Sequence, residues 1–158
     1  HLGANKHNAV LDLLLARHET VCFAESCTGG KVASSVIDYA GASEAIMESY
    51  VTYSNEAKLR ILGVSEATLA NFGAVSAQCA AKMAEGARRV SGATWGVSTT
   101  GIAGPDGGTD EKPVGTVFVG IAGPDGTETH EFHFRGNRDW IRTLTVVNAL
   151  NKLRLTMK

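Results

Sequence analysis

The sequence predicts one α/β domain of three layers, with helices on both faces of a mixed sheet, part parallel and part antiparallel. Early in the chain, stretches with helical periodicity alternate with short β-rich runs, the order that produces a parallel sheet. Later, two β-rich runs flank Pro124-Asp125-Gly126, the chemistry of a hairpin turn. Between them, no linker or low-complexity stretch divides the 158 residues, so residues 1–158 are expected to form a single domain. Residues 1–6 are expected to be an adventitious or disordered start, since the chain opens on His1 rather than Met.

Residues 8–18 place Val10, Leu11, Leu14 and Leu15 on one stripe and read as an amphipathic helix. Residues 20–24 read as a strand that stops in Glu25-Ser26-Cys27-Thr28-Gly29-Gly30 and restarts as a helix over 31–38. Gly41-Ala42-Ser43 breaks that helix, and a short helical piece is expected over 44–47. Residues 49–53 alternate and read as a strand. A helix over 55–62 ends at Gly63 in the C′ role. Ser65 and Ser76 have the character of N-caps, opening helices closed by Gly73 and Gly92. Residues 93–99 form a buried-looking strand, and the glycine-dense stretch 101–108 is unsuited to regular structure. Strands are expected over 114–122 and 129–134, and Arg138 or Asp139 opens the last helix, whose apolar face carries Ile141, Leu144, Val147, Leu150 and Leu153. The string GIAGPDG occurs at 101–107 and again at 120–126. Only the first copy leads into a long polar loop, so the repeat reflects shared turn chemistry rather than duplication.

Composition narrows the function. The net charge of -1 and the scattered Lys and Arg residues offer no basic face for nucleic acid. No apolar run reaches the roughly eighteen residues of a membrane span, and no signal peptide is evident, so a cytoplasmic protein is expected. The three cysteines, Cys22, Cys27 and Cys79, are odd in number and lack metal-ligand spacing, which fits a reducing compartment. A metal centre is not expected, since no His, Cys, Asp or Glu group has ligand spacing. The histidines (His1, His7, His18, His130, His133) fall at the terminus, the first helix or the hairpin, away from any candidate centre.

Ligands of α/β sheets bind beyond the carboxyl ends of strands. Three polar stretches follow strands directly, and they bring together Ser26, Thr28, Tyr53, Ser54, Lys58 and Thr100. The turn before the second helix can offer unpaired N–H groups at Thr28, Gly29 and Gly30 to a phosphate or an oxyanion. The same residues can equally be a plain cap and a tight turn. Cys27, at a helix start, could carry a lowered pKa and act as a nucleophile. Hydroxyls, one amine and backbone donors equip either a serine–lysine hydrolase or a phosphate-binding module, according to whether Lys58 is buried or solvated.

The ordered motifs AESCTGG (24–30), VTYSNEAK (51–58), LGV (62–64), GAVS (73–76) and GIAGPDGGTDEKPVGTV (101–117) closely resemble the C-terminal domain of the competence-damage-inducible protein CinA. That domain also occurs free-standing as a nicotinamide-nucleotide amidase of the PncC type. The resemblance runs from about Val21 to the last helix. It implies hydrolysis of the carboxamide of nicotinamide mononucleotide to nicotinate mononucleotide and ammonia, in pyridine nucleotide salvage, without a cofactor. It makes Ser26 the nucleophile and Lys58 the base, with Tyr53 arranging the proton transfer. Thr100 and Gly101 then line the substrate site, and an arginine at the start of the last helix, Arg138 or alternatively Arg142, meets the substrate. Relatives of this kind carry the domain behind a larger N-terminal one, so the chain is expected to be either the free-standing form or an excised piece. The alternative is a non-catalytic nucleotide- or phosphate-binding regulatory domain, or a scaffold. The expected partner is the small-molecule substrate, with neither nucleic acid nor membrane. A homo-oligomer, by default a dimer, is expected.

Overall fold

In the computed structural model, residues 8–158 are described. The expectations on residues 1–6, and those on His1 and His7, lie outside the described residues. Among the described residues, five strands form one open sheet in the order β2-β1-β3-β4-β5. They are β1 (Val21–Glu25), β2 (Tyr50–Val51), β3 (Trp95–Gly101), β4 (Thr116–Gly123) and β5 (Gly126–His133). β1 runs parallel to β2 and β3, while β3–β4 and β4–β5 are antiparallel. The sheet is therefore mixed, and its antiparallel end is a hairpin closed by Pro124 and Asp125, with Gly123 opposite Gly126.

The helices are α1 (Ala9–Arg17), α2 (Lys31–Ile37), α3 (Asn55–Leu62), α4 (Glu66–Phe72), α5 (Ala77–Ser91) and α6 (Arg138–Met157). Side-chain caps start most of them. Ser54, Ser65, Ser76 and Asn137 each accept an N–H three residues on, leaving fewer orphan donors in the first turn. Asn137 is thus the cap of α6, which opens at Arg138. A 3-10 turn at Ala42–Glu44 replaces the helical piece expected over 44–47.

Alternation along β1 sorts the layers. Val21 and Phe23 point into a core made with α1, α2 and α6, joined by Leu14, Val36, Val119, Ile121 and Leu153. Cys22 and Ala24 point the other way, into a core with Leu62, Val64, Cys79, Met83 and Ala87 from the α3–α5 side. Full burial of a side chain such as Phe23 contributes about 1.5–3 kcal/mol. Helix α5 sits unusually close to the sheet because its contact face is small. A Cβ on Gly96 would collide with the Ala84 carbonyl oxygen, and one on Gly120 with the Ala80 carbonyl oxygen. Ser98 completes that seam by donating to the Ala80 carbonyl at 2.6 Å.

The strand expected over 49–53 shortens to two residues for a reason that bears on function. The Thr52 N–H still reaches the Glu25 carbonyl. The carbonyls of Thr52 and Tyr53, however, turn toward the Lys58 ammonium position instead of continuing the ladder.

Candidate active site

The parallel strands end together, with Glu25 level with Val51 on one side and Thr99 on the other. One residue beyond β1, the Ser26 N–H donates to the Thr99 carbonyl at 3.0 Å. Ser26 is therefore held by the sheet although it lies past the strand, and its hydroxyl opens on a cavity of about 280 Å³. Cys27, Tyr53, Asn55, Lys58, Thr100, Gly101, Asp106 and Arg138 are among the residues that line this cavity.

Lys58 sits in the first turn of α3 and is only 1% exposed. Side chains of helices lean toward the N-terminus, so the amine returns over the residues that precede the helix. Its Nζ lies 2.8 Å from the Thr52 carbonyl, 2.9 Å from the Tyr53 carbonyl and 3.0 Å from Ser26 Oγ. Every partner is a neutral oxygen. Burial therefore lowers the Lys58 pKa from its ordinary 10.5. Both carbonyls can only accept; were the amine neutral, its two N–H bonds would go to them and its lone pair would face the Ser26 hydroxyl.

The helix start after Ser26 differs from the anion site that the turn suggests. The Glu25 carboxylate, buried at the end of β1, already occupies those donors. Its Oε1 accepts from Gly30 N–H at 3.1 Å, Val32 N–H at 2.9 Å and the Thr28 hydroxyl at 2.6 Å. Its Oε2 accepts from Ala33 N–H at 3.0 Å. Lys31 N–H is taken by the Thr28 carbonyl and Gly29 N–H by the Ser26 carbonyl. Thr28, fully buried, also shares a 2.7 Å bond with the Thr99 hydroxyl. Thr28, Gly29 and Gly30 thus stand outside the cavity and build the turn, a correction to their expected place against substrate. Gly29 and Gly30 are needed there because both have positive φ, +59° and +100°. The Cys27 and Thr28 N–H groups make no hydrogen bond to another residue among the described residues. Cys27 itself is no nucleophile at neutral pH, because burial pushes its thiol up to about 12.

The two arginines of α6 separate cleanly. Arg142 donates to the Cys27 carbonyl at 2.9 Å and the Thr28 carbonyl at 3.1 Å, bracing the turn from behind. Arg138 faces the cavity, donating to the Gly104 carbonyl at 2.7 Å and the Tyr53 hydroxyl at 3.2 Å. Tyr53 is consequently split in role. Its carbonyl serves Lys58, while its ring is 62% exposed at the cavity mouth with the hydroxyl on Arg138 rather than on Ser26. Thr100 is pinned by a 2.8 Å bond to the Ala74 carbonyl, and Gly101 is required beside it, since a Cβ would strike the Val117 side chain. Ser54 is spent as the α3 cap.

Sequence reasoning missed Glu25 as the cap, the Thr52 carbonyl as an acceptor for the Lys58 amine, and Asn55 and Asp106 on the cavity wall. A buried acid just before a glycine turn that lacks a side-chain N-cap is the signal that could have exposed Glu25. His18 caps α1 in the left-handed region, and His130 and His133 pair with Glu128 and Glu131 on β5, all remote from the cavity. Among the described residues no three His, Cys, Asp or Glu side chains gather closely enough to hold a metal ion, and no helix is long and apolar enough to cross a membrane.

Fold and site together define a mixed-sheet α/β domain with a buried serine–lysine pair at the shared ends of its parallel strands. The chain belongs to the CinA C-terminal domain family, whose model matches residues 4–157. A CinA-like protein of Geobacter sulfurreducens is 51% identical over 146 residues, 92% of this chain and 35% of its own length. The chain spans about a third of the length of the curated relatives it matches. Among solved structures, a CinA superfamily protein from Klebsiella pneumoniae superposes with a TM-score of 0.91 at 34% identity, covering 94% of this chain and 93% of that one. A competence/damage inducible protein from Agrobacterium tumefaciens gives 0.89 at 39% identity, with 96% of each chain covered.

Proposed function

We propose that this domain hydrolyses the carboxamide of nicotinamide mononucleotide, releasing ammonia and nicotinate mononucleotide. The observation that carries the reading is the Lys58 amine, buried among neutral oxygens and 3.0 Å from Ser26 Oγ. A buried lysine that lacks a counter-ion gains nothing for stability, whereas a neutral amine beside a serine is an activated nucleophile.

In this scheme Ser26 Oγ attacks the amide carbon as its proton passes to the Lys58 lone pair. The C=O electrons move onto oxygen, where the Cys27 N–H, adjacent to Ser26 on the cavity wall, is the available donor. Lys58, now an ammonium, returns the proton to the leaving nitrogen, and ammonia departs with the C–N electron pair. Water then attacks the Ser26 ester, giving up its proton to Lys58, which passes it to the departing serine oxygen. Tyr53 acts here through its backbone carbonyl, holding the amine's direction. Arg138 is the cation for the phosphate, since Arg142 is committed to the turn.

Ammonia release from nicotinamide mononucleotide by wild type and Ser26→Ala, with a chelator present, tests the reading. Activity in wild type that falls at least about a thousandfold in Ser26→Ala is expected. A folded wild type that releases no ammonia, or a Ser26→Ala chain as active as wild type, would return the domain to the non-catalytic nucleotide-binding alternative.

A further inference from the structure

The cavity that holds Ser26 and Lys58 also carries one carboxylate with nothing to do inside the protein. Asp106 lies on its wall, in the loop after β3, and it makes no hydrogen bond or ion pair among the described residues. Its position is nevertheless held on both sides. Arg138 ties down the Gly104 carbonyl two residues before it. Beyond it, Lys112 anchors the loop on the Phe72 carbonyl at 2.7 Å, and Thr109 N–H bonds back to the Lys112 carbonyl. Asp106 does not pair with Arg138, whose guanidinium donates to the Gly104 carbonyl and the Tyr53 hydroxyl.

A cavity shaped only for a phosphate would be better without this charge, because like charges repel across a partly sheltered space. The substrate class proposed above is not a simple anion, however. Its phosphate is negative, but the N-ribosylated ring that bears the carboxamide is a pyridinium cation. One guanidinium and one carboxylate lining the same cavity match such a zwitterion.

Resting on the amidase reading, we infer that Asp106 is the counter-charge of the pyridinium ring and makes the site selective for oxidised, N-ribosylated pyridine carboxamides over uncharged ones. The ring keeps its charge while Ser26 attacks, so Asp106 stabilises bound substrate and transition state alike. It acts on KM and leaves kcat unchanged. At the separations and exposure of a cavity mouth, one such charge is worth about three- to tenfold in affinity.

The probe pair is nicotinamide mononucleotide and its reduced form, which has the same size and phosphate but a neutral ring. Their binding is measured by calorimetry on Ser26→Ala, where turnover is blocked, with and without Asp106→Asn. The Asp106 chain is expected to favour the oxidised form, and Asp106→Asn to reduce that preference by about three- to tenfold while leaving the reduced form bound as before. In the Ser26-bearing chain, Asp106→Asn should raise KM by the same factor at constant kcat. An oxidised-to-reduced ratio identical with and without Asp106 overturns the inference even if ammonia is released. A ratio that depends on Asp106 in a chain releasing no ammonia supports the charge match and refutes the amidase reading instead.

Discussion

Replacing Glu25 by glutamine tests whether the helix start belongs to the protein or to a ligand. The carboxylate accepts four hydrogen bonds, three on Oε1 and one on Oε2, and is 1% exposed. Glutamine has one accepting oxygen. With that oxygen in the Oε1 place, the Ala33 N–H faces an NH₂ group and becomes a buried unpaired donor, which costs about 1–3 kcal/mol. The three surviving bonds also lose their charge assistance, a further fraction of a kcal/mol to about 1 kcal/mol each. Relief from burying a charge offsets part of this, so a net loss of about 2–4 kcal/mol is expected. In a domain of this size each kcal/mol moves Tm by about 2–4 °C, giving a fall of about 5–15 °C by circular dichroism. Ammonia release should fall as well, because Ser26 and the Glu25 cap share one turn. A Tm within about 2 °C of wild type, with KM raised, would refute the internal cap and return these N–H groups to substrate.

Two further outcomes follow from the site. Burial lowers the Lys58 pKa below 10.5, so between the folded pKa and 10.5 the unfolded chain holds a proton that the folded chain has released. Stability therefore falls as pH drops from 10.5 toward the folded pKa and levels off below it, whereas kcat/KM holds above the folded pKa and falls below it, where the amine takes up its proton. Lys58→Met should abolish ammonia release and remove that slope from the stability profile, whereas an unchanged slope in Lys58→Met would exclude Lys58 as its source. Arg138 and Arg142 should divide their effects. Arg138→Gln is expected to raise KM about tenfold or more with little change in Tm, while Arg142→Gln leaves the Cys27 carbonyl without a donor and the Thr28 carbonyl with only the Lys31 N–H, and lowers stability by about 1–3 kcal/mol in denaturant unfolding. Equal effects of the two substitutions on Tm would contradict that division.

The layer order, the mixed sheet and most helix caps were legible because each rests on local chemistry. Ser54, Ser65 and Ser76 cap where they stand three residues before a first-turn N–H, and Gly63, Gly73 and Gly92 close helices by positive φ. The convergence of Ser26, Lys58 and Thr100 was legible too, since parallel strands bring their ends to one edge. What could not be read was the use of particular atoms. Nothing in Asn55-Glu56-Ala57-Lys58 distinguishes a solvated helix lysine from one folded back onto the carbonyls of Thr52 and Tyr53. An acid before an uncapped glycine turn hints at a carboxylate there, but not that it will take the Gly30, Val32 and Ala33 N–H groups at once. Both are tertiary facts about residues whose local pattern has a commoner use.

Those two facts are linked through β1. Successive residues of a strand point to opposite faces. Glu25 therefore faces the α2 layer and Ser26 faces the α3 layer, where Lys58 stands. The acid that secures the turn and the hydroxyl that meets the amine are neighbours with opposite duties. Arg142 reaches the same turn from α6, gripping the carbonyls of Cys27 and Thr28. The Thr99 carbonyl takes the Ser26 N–H while the Thr99 hydroxyl takes part in the Glu25–Thr28 network. The serine is thus located by three elements without any of them touching its Oγ. Among the described residues only Lys58 does that, and the same burial that holds Lys58 in place lowers its pKa. Positioning and activation of the serine are separate in their residues, so a substitution that weakens one need not weaken the other in proportion.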